Sequence, residues 1–409
     1  MRIPSTCLRF VLVLALAALV TAAVAPARAH PPAQYTQVRI LAEWPGEVEQ
    51  KDFEALLLPF LQDFDVQPVL VSATNLEETL RQQIDAGTPP DLVIMTQPGL
   101  LADYARTAQV IDLGAALGPA ASGYPAYLDA ALSVDGRVYG RAIRLVAKAL
   151  VWYPADDPIL SGAGIPATWD DLLALGQQVA GTGATPWSIS LSATTGTDII
   201  ETLLYQRYGA GLIDGLAAGQ IAWTDERVRD AWTSFGQLLA PGTVESPAAL
   251  APVAAAVAPF DASPDAAFSI ASSTAAAWIP AASRQRPGED FRFFPLPAGD
   301  PRRVIVGADF VVLFNDNPIT VALAGFLTAP ETTAAWAAAG SAISPYPNTR
   351  YPNPALDALA ALVHTGAPLF DLSDRLPPAV RQAFVVGTVR YAAEPDALPD
   401  ILAGIEAAR

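Results

Sequence analysis

Apolar positions along this chain follow two alternating rhythms. From Val38 to Trp44 they alternate with polar ones, the period of a half-buried strand. From Gln50 to Phe64 the residues Phe53, Leu56, Leu57, Phe60, Leu61 and Phe64 recur every three or four positions, which predicts a helix with one buried face. Val66 to Val71 predicts a second strand. Thr74-Asn75-Leu76-Glu77 reads as a capping box opening a helix that Gly87 closes. Asp91 to Thr96, after Pro89-Pro90, is a continuous apolar run, as expected of a parallel strand buried on both faces. This strand–helix alternation predicts an α/β sheet with right-handed crossovers.

A second region begins near Leu150 and repeats the alternation. Thr168-x-x-Asp171 opens a helix to Gly181, Trp187 to Leu191 reads as a strand, and Thr197 to Tyr208 and Asp225 to Leu239 read as helices. Pro241 to Asp265, rich in Ala and Pro, predicts a loop with a short helix. Phe291 to Pro295 and Arg303 to Phe314 return to strand character. Pro318 to Gly340 predicts two helices split at Pro330, and the tail from Pro377 is helical. Trp169, Trp232 and Trp336 sit among apolar neighbours on helix faces and are assigned to core.

Composition narrows the class. With 409 residues, 52% hydrophobic and 16% charged, the chain is long enough for two lobes and too apolar for extensive disorder. Its formal net charge of -17 repels phosphate backbones and anionic lipid, so nucleic acid is not an expected partner. Residues 1–29 read as a signal peptide: Arg2 and Arg9 form a basic start, Phe10 to Val24 is apolar, and Ala27-Arg28-Ala29 fits a cleavage site leaving His30 first. The alternative is an uncleaved anchor, but the apolar run is shorter than the roughly 20 residues of a spanning helix. No cysteine stands at the cleavage point to carry a lipid. The single cysteine, Cys7, falls in the removed segment, so the mature chain has no disulfide and no thiolate chemistry. A periplasmic or extracellular location follows.

Candidate catalytic residues are scarce. The two histidines are His30, at the expected new N-terminus, and His364, late in the helix Pro354 to Val363. No G-x-S-x-G, phosphate loop, dinucleotide fingerprint or H-E-x-x-H occurs. No cofactor, metal site or catalytic residue is expected. Among 41 acidic residues a glycosidase-type carboxylate pair is not excluded by sequence; solvated surface acids are the plainer reading.

Four stretches carry a resemblance to a known family: Ala86 to Ala105 (AGTPPDLVIMTQPGLLADYA), Val134 to Gly140 (VDGRVYG), Lys148 to Ile189 (beginning KALVWYP and ending GATPWSI), and Val304 to Pro345 (beginning VIVGADFVVLF). In this order and spacing the chain resembles the family-1 extracellular solute-binding proteins of carbohydrate ABC importers. It is most similar to the α-glucoside-binding branch and distantly like maltose-binding protein. The resemblance implies an α/β, two-lobed periplasmic-binding-protein fold of type II. It implies a first lobe of 35–147 plus 292–327 and a second of 148–291 plus 328–409, with hinges near Lys148, Arg292 and Thr328. It further implies a monomer that captures a carbohydrate in the inter-lobe cleft and hands it to the transmembrane subunits of an ABC permease. Two alternatives stay open: an exported sensor or scaffold that lost transport, and an exported glycoside hydrolase. The chain departs from the family pattern at Ser272-Ser273-Thr274, where many relatives bring a bulky residue to the cleft, and in lacking paired cysteines.

A sugar site needs aromatic platforms and planar polar groups. Trp44 and Glu47 follow the first strand and Gln97 the buried one, at the carboxyl ends where an open α/β sheet places its crevice. Lys148, one of only two lysines in the chain, matches a lysine of the α-glucoside-binding branch and lies at the implied crossing between lobes. Trp152 and Tyr153 point to opposite faces, so at most one meets the cleft. Trp187 begins a strand that in relatives leads to the cleft wall, with core packing as the alternative. Thr194, Thr195 and Asp198 sit at a helix start, where Asp198 is either a ligand contact or a cap. Gly307-Ala308-Asp309 breaks a strand as expected at close backbone–ligand approach, which makes Asp309 a hydroxyl acceptor.

Overall fold

A computed structural model describes residues 36–409 apart from 45–46, 74, 192–193, 245–249, 341 and 353. The signal segment, Cys7 and His30 lie outside the described residues. The chain runs β1 (Thr36–Ala42), α1 (Glu47–Asp63), β2 (Val66–Ser72), α2 (Leu76–Asp85), β3 (Leu92–Met95) and α3 (Pro98–Arg106). A short hairpin, β4 (Ser133–Val134) and β5 (Arg137–Val138), leads into β6 (Gly140–Ala147) and then β7 (Leu150–Pro154). There follow α4 (Trp169–Gly181), β8 (Trp187–Ile189), α5 (Thr195–Tyr208), α6 (Glu226–Leu239), β9 (Phe268–Ala271), α7 (Ala275–Ser283), β10 (Phe291–Pro295), β11 (Arg303–Leu313), α8 (Pro330–Ala339), β12 (Ala367–Phe370), α9 (Leu372–Arg375) and α10 (Pro378–Ala393).

Two sheets organise these elements. The first has order β12-β11-β3-β1-β2, with β6 also paired to β11; the second has order β10-β7-β9-β8. β1 and β3 are parallel, as the buried run 91–96 predicts, while β11 runs antiparallel to both β3 and β6. β8 and β9 are parallel. Both sheets are therefore mixed.

Strand alternation decides what each face buries. In the first sheet Val38, Ile40, Leu92, Ile94, Val311 and Leu313 face α1, joined by Phe53, Leu57 and Trp336. Leu41, Val93, Met95, Phe310 and Val312 face the other side. In the second sheet Val151, Tyr153, Ile189 and Ile270 pack against α4, α5, α6 and α10, and Trp152 lies in the opposite core. Trp232 and Trp336 are fully buried and Trp169 is 9% exposed, as expected of core residues.

Local signals also hold. The Thr168 hydroxyl accepts the Asp171 N–H at 3.2 Å, and the Asp171 carboxylate accepts the Thr168 N–H at 3.0 Å. At the other predicted cap, Asn75 caps α2, accepting the Glu78 N–H at 3.0 Å. Thr74 lies outside the described residues.

Strand pairing groups some segments by sheet in a way that the expected lobe boundaries do not follow. Arg292–Pro295 belongs to the second sheet, because β10 pairs with β7 over its whole length. Helix α8 and strand β12 lie with the first sheet, although everything after Thr328 is expected in the second lobe. Trp336 packs against Phe53 at 5.8 Å between ring centroids, and β12 pairs parallel with β11. Apolar periodicity shows that a segment is buried but not which sheet buries it. Strand β12 and helix α7 are unforeseen. The first is only four residues long, and the second is an Ala-rich segment without strong periodicity.

Candidate functional site

Strands β1, β2 and β3 end toward a cavity of about 690 Å³, and β8, β9 and their following segments close it from the other sheet. That volume lies within the roughly 300–1,000 Å³ of small-molecule sites. Five expected site residues line it: Trp44, Lys148, Thr195, Asp198 and Asp309, together with Thr194.

Four do not. Glu47 is at the surface, its side chain 85% exposed and paired with Lys51 at 2.8 Å. Gln97 is buried ahead of α3 and makes no side-chain cap. Trp152 is enclosed beside Phe293, and its indole N–H donates to the Ala271 carbonyl at 3.4 Å. Tyr153 turns the other way, into the core with Phe294. Trp187 is buried against Gly176, where an added Cβ would stand 2.9 Å from the ring. Large aromatic residues at strand starts carry the same sequence signal whether they face core or cleft.

Trp44 and Asp309 form one unit. The Trp44 indole N–H donates to Asp309 Oδ2 at 3.0 Å, and Arg144 Nη2 reaches the same oxygen at 2.8 Å. The Trp44 ring is held against Phe53 at 5.0 Å and edge-on to Trp336 at 6.3 Å. Asp309 sits where the β11–β6 register shifts: Ile143 is the extra residue on β6, and β11 itself runs on without interruption. The neighbouring Gly307 makes room for Lys148, whose Cε would lie 2.9 Å from an added Cβ; the close approach is to that side chain.

Lys148 occupies the two-residue crossing from β6 to β7. Ala149 beside it takes φ 52°, a left-handed conformation rare for a residue with a Cβ. Lys148 Nζ lies 3.0 Å from Asp371 Oδ2 and 3.3 Å from Asp198 Oδ1. Asp198 is thus an ion-pair partner inside the first turn of α5 rather than its cap. Burial alone would depress the Lys148 ammonium, but Asp198, Asp371 and Asp374 hold it well above its ordinary value. Burial likewise pushes Asp198 up against the pull of Lys148. For Asp371 the same burial is overcome by Lys148 and the Ser373 hydroxyl, which keep its carboxylate well below the usual range.

The cavity also draws on residues the sequence pattern does not mark: Glu43, Glu49, Trp278, Asp374 and Arg381. Glu49 is fully buried in the first turn of α1. Its Oε1 accepts the Trp278 indole N–H at 3.1 Å, joining the two sheets' halves of the cleft, and its Oε2 has no hydrogen-bond partner among the described residues. Burial raises its pKa, partly offset by Arg144. Trp278 also answers the Ser272-Ser273-Thr274 departure: the aromatic wall comes from one turn into α7. Ser272 and Thr274 line the cavity, while the Ser273 hydroxyl accepts the Ala147 N–H at 3.0 Å and ties β9 to the crossing. One signal for Glu49 existed: it lies one residue before the helix predicted from Gln50 and four before Phe53, on the face which that helix buries.

No group of three or more His, Cys, Asp or Glu side chains with metal-holding geometry occurs among the described residues. No helix of the described residues is long and apolar enough to cross a membrane.

Comparison with known proteins agrees with this architecture. The chain is 30% identical over 379 residues to the osmoprotective compounds-binding protein of Synechocystis sp., covering 87% of this chain and 88% of that one. It is 28% identical to the α-glucosides-binding periplasmic protein of Rhizobium meliloti, covering 90% and 86%. A structure from work on xylan utilization by Caldanaerobius polysaccharolyticus superposes with TM-score 0.78 over 90% of this chain and 99% of that one, at 14% identity. Residues 45–335 match the bacterial extracellular solute-binding protein family. The chain therefore belongs to that family, whose members bind solutes rather than transform them.

Proposed function

We propose that this chain captures a carbohydrate, an α-glucoside or oligosaccharide, outside the cytoplasm and delivers it to the transmembrane subunits of an ABC permease. The observation that carries the reading is the cavity between the sheets. It combines two tryptophans with a ring of carboxyl, hydroxyl and guanidinium groups, including a buried Glu49 oxygen without a hydrogen-bond partner among the described residues. Such a lining suits neutral polyols, whose hydroxyls both donate and accept. The α-glucosides-binding relative supports the choice of solute. In this reading Trp44, Glu49, Trp278 and Asp309 meet the ligand, and closure about the crossings near Lys148 and Asp371 encloses it. One lobe is built on the first sheet and includes α8 and β12; the other is built on the second sheet. The mature chain begins at His30 after removal of residues 1–29 and acts as a monomer.

A thermal-shift panel of the mature protein tests this. Maltose, trehalose, sucrose and longer α-glucosides at 100 times Kd raise stability by about 2.7 kcal/mol through mass action. No shift with any mono- or oligosaccharide refutes the reading.

A further inference from the structure

The crossings between the sheets meet at one buried cluster whose charges do not balance. Lys148 stands at the crossing from β6 to β7, and Asp371 and Asp374 follow β12 where the chain leaves the first sheet. Asp198 and Glu201 face them from α5, Arg381 from α10, and Glu43 from the end of β1. Lys148 Nζ bridges Asp371 and Asp198 as described, and Arg381 Nε lies 3.8 Å from Asp374 Oδ1. Asp371 and Glu201 are fully buried, and Asp198 and Asp374 nearly so. The Glu201 carboxyl accepts the Leu372 and Ser373 N–H groups at 2.6 and 3.0 Å, which pins it beside Asp371. Other charged groups on the packed elements pair elsewhere, among them Arg375 with Asp214 at 2.9 Å, Arg106 with Asp103 at 3.4 Å, Arg144 with Asp309 at 2.8 Å, Arg207 with Asp230 at 2.8 Å, Arg303 with Asp300 at 3.7 Å and Arg390 with Glu394 at 3.4 Å.

Four buried carboxyls thus share one lysine and one arginine. Like charges this close in a water-poor site do not all ionise, so the cluster holds protons near neutral pH. Burial, with Asp371 beside it, pushes Asp374 up to about 7. Lys148, Asp198, Asp374, Arg381 and Glu43 also line the cleft cavity. A solute there removes water from them. Movement about the crossings changes the spacing between Asp198 on one side and Asp371 on the other. Both changes alter proton affinity, and linkage makes the effect reciprocal.

We propose that solute capture by this chain is proton-linked: filling and closing the cleft is accompanied by proton uptake into the carboxyl cluster around Lys148. The proposal rests on the carbohydrate-capture reading for its ligand. Desolvation by the solute favours the neutral carboxyl, so affinity weakens as pH rises through neutrality.

Two measurements test it. Calorimetric titration with whichever of maltose, trehalose or sucrose binds is run at pH 7 in buffers of low and high ionisation heat. The expected result is uptake of about half a proton, with Kd rising roughly three- to tenfold from pH 6 to 8. In Glu201→Gln, whose side chain does not line the cavity, the uptake shrinks. Equal enthalpies in both buffers with a flat Kd overturn the proposal. The second measurement needs no ligand. The unfolding stability of the free protein falls from pH 5 to 8, and Asp374→Asn flattens that fall; identical slopes in both proteins overturn the proposal even where no sugar binds. Absence of binding by every sugar speaks instead against the carbohydrate reading.

Discussion

Replacing Lys148 with Met removes the one ammonium that bridges Asp198 and Asp371 while keeping the unbranched stem up to the position of Cε. Both partners are buried, and Lys148 Nζ lies 3.3 and 3.0 Å from their oxygens. Breaking a buried pair by deleting one partner costs about 3–5 kcal/mol, because the remaining charge loses its compensation. At about 2.1 cal/mol/K per residue, roughly 370 ordered residues lose about 1 °C for each 0.8 kcal/mol, so the midpoint should drop by about 4–6 °C. The loss should be larger at pH 8 than at pH 6, since at lower pH the orphaned carboxyls take up protons instead. Lys148→Arg should not restore the wild-type value. The bulkier guanidinium must enter where Gly307 already stands against the lysine stem. Differential scanning calorimetry or urea unfolding at both pH values measures this. A Lys148→Met protein within 1 kcal/mol of wild type at pH 8 would show that the cluster is neutralised without its lysine, and the argument would fall.

Gly176→Ala places a methyl group 2.9 Å from the Trp187 ring. Urea unfolding should show a cost of about 1–3 kcal/mol from overpacking, with solute affinity unchanged because neither residue lines the cavity. Thr168→Ala breaks one arm of the α4 capping box and should cost about 1 kcal/mol by the same assay. Trp278→Phe keeps an apolar wall but takes the indole donor away from the buried Glu49 carboxyl, so chemical denaturation should register a loss of about 1–3 kcal/mol. For the pH dependence, Asp374 is raised in the folded state, so its contribution is fully present below the ordinary carboxylate pKa of about 4 and lost as pH rises through about 7. His364 works oppositely: burial lowers its pKa, so its contribution is present above its ordinary value and lost as pH falls. Urea midpoints of wild type and Asp374→Asn from pH 5 to 8 separate the two.

Local periodicity was enough to read the two-region α/β plan. Phe53, Leu57 and Phe60 mark the face of α1, and the run before Thr96 marks a strand buried on both sides; neighbours in sequence set these patterns. The same holds for the Thr168–Asp171 cap and for the scarcity of catalytic motifs. Of the candidate site, the residues legible in sequence were Trp44 after a strand, Lys148 at the crossing, Thr195 and Asp198 at a helix start, and Asp309 within a strand. Folding settled what spacing does not encode. Trp187 and Trp152 have the same apolar, aromatic character as Trp44 and Trp278, but only the second pair meets the cavity, because side-chain facing depends on register and on which layer covers each strand. Glu49 and Trp278, more than 200 positions apart, become partners across the cleft. Asp371 and Asp374 join Lys148 because a four-residue strand returns to the first sheet at Ala367–Phe370. Such long-range pairings are products of sheet order, and a one-dimensional hydrophobic pattern carries no record of sheet order.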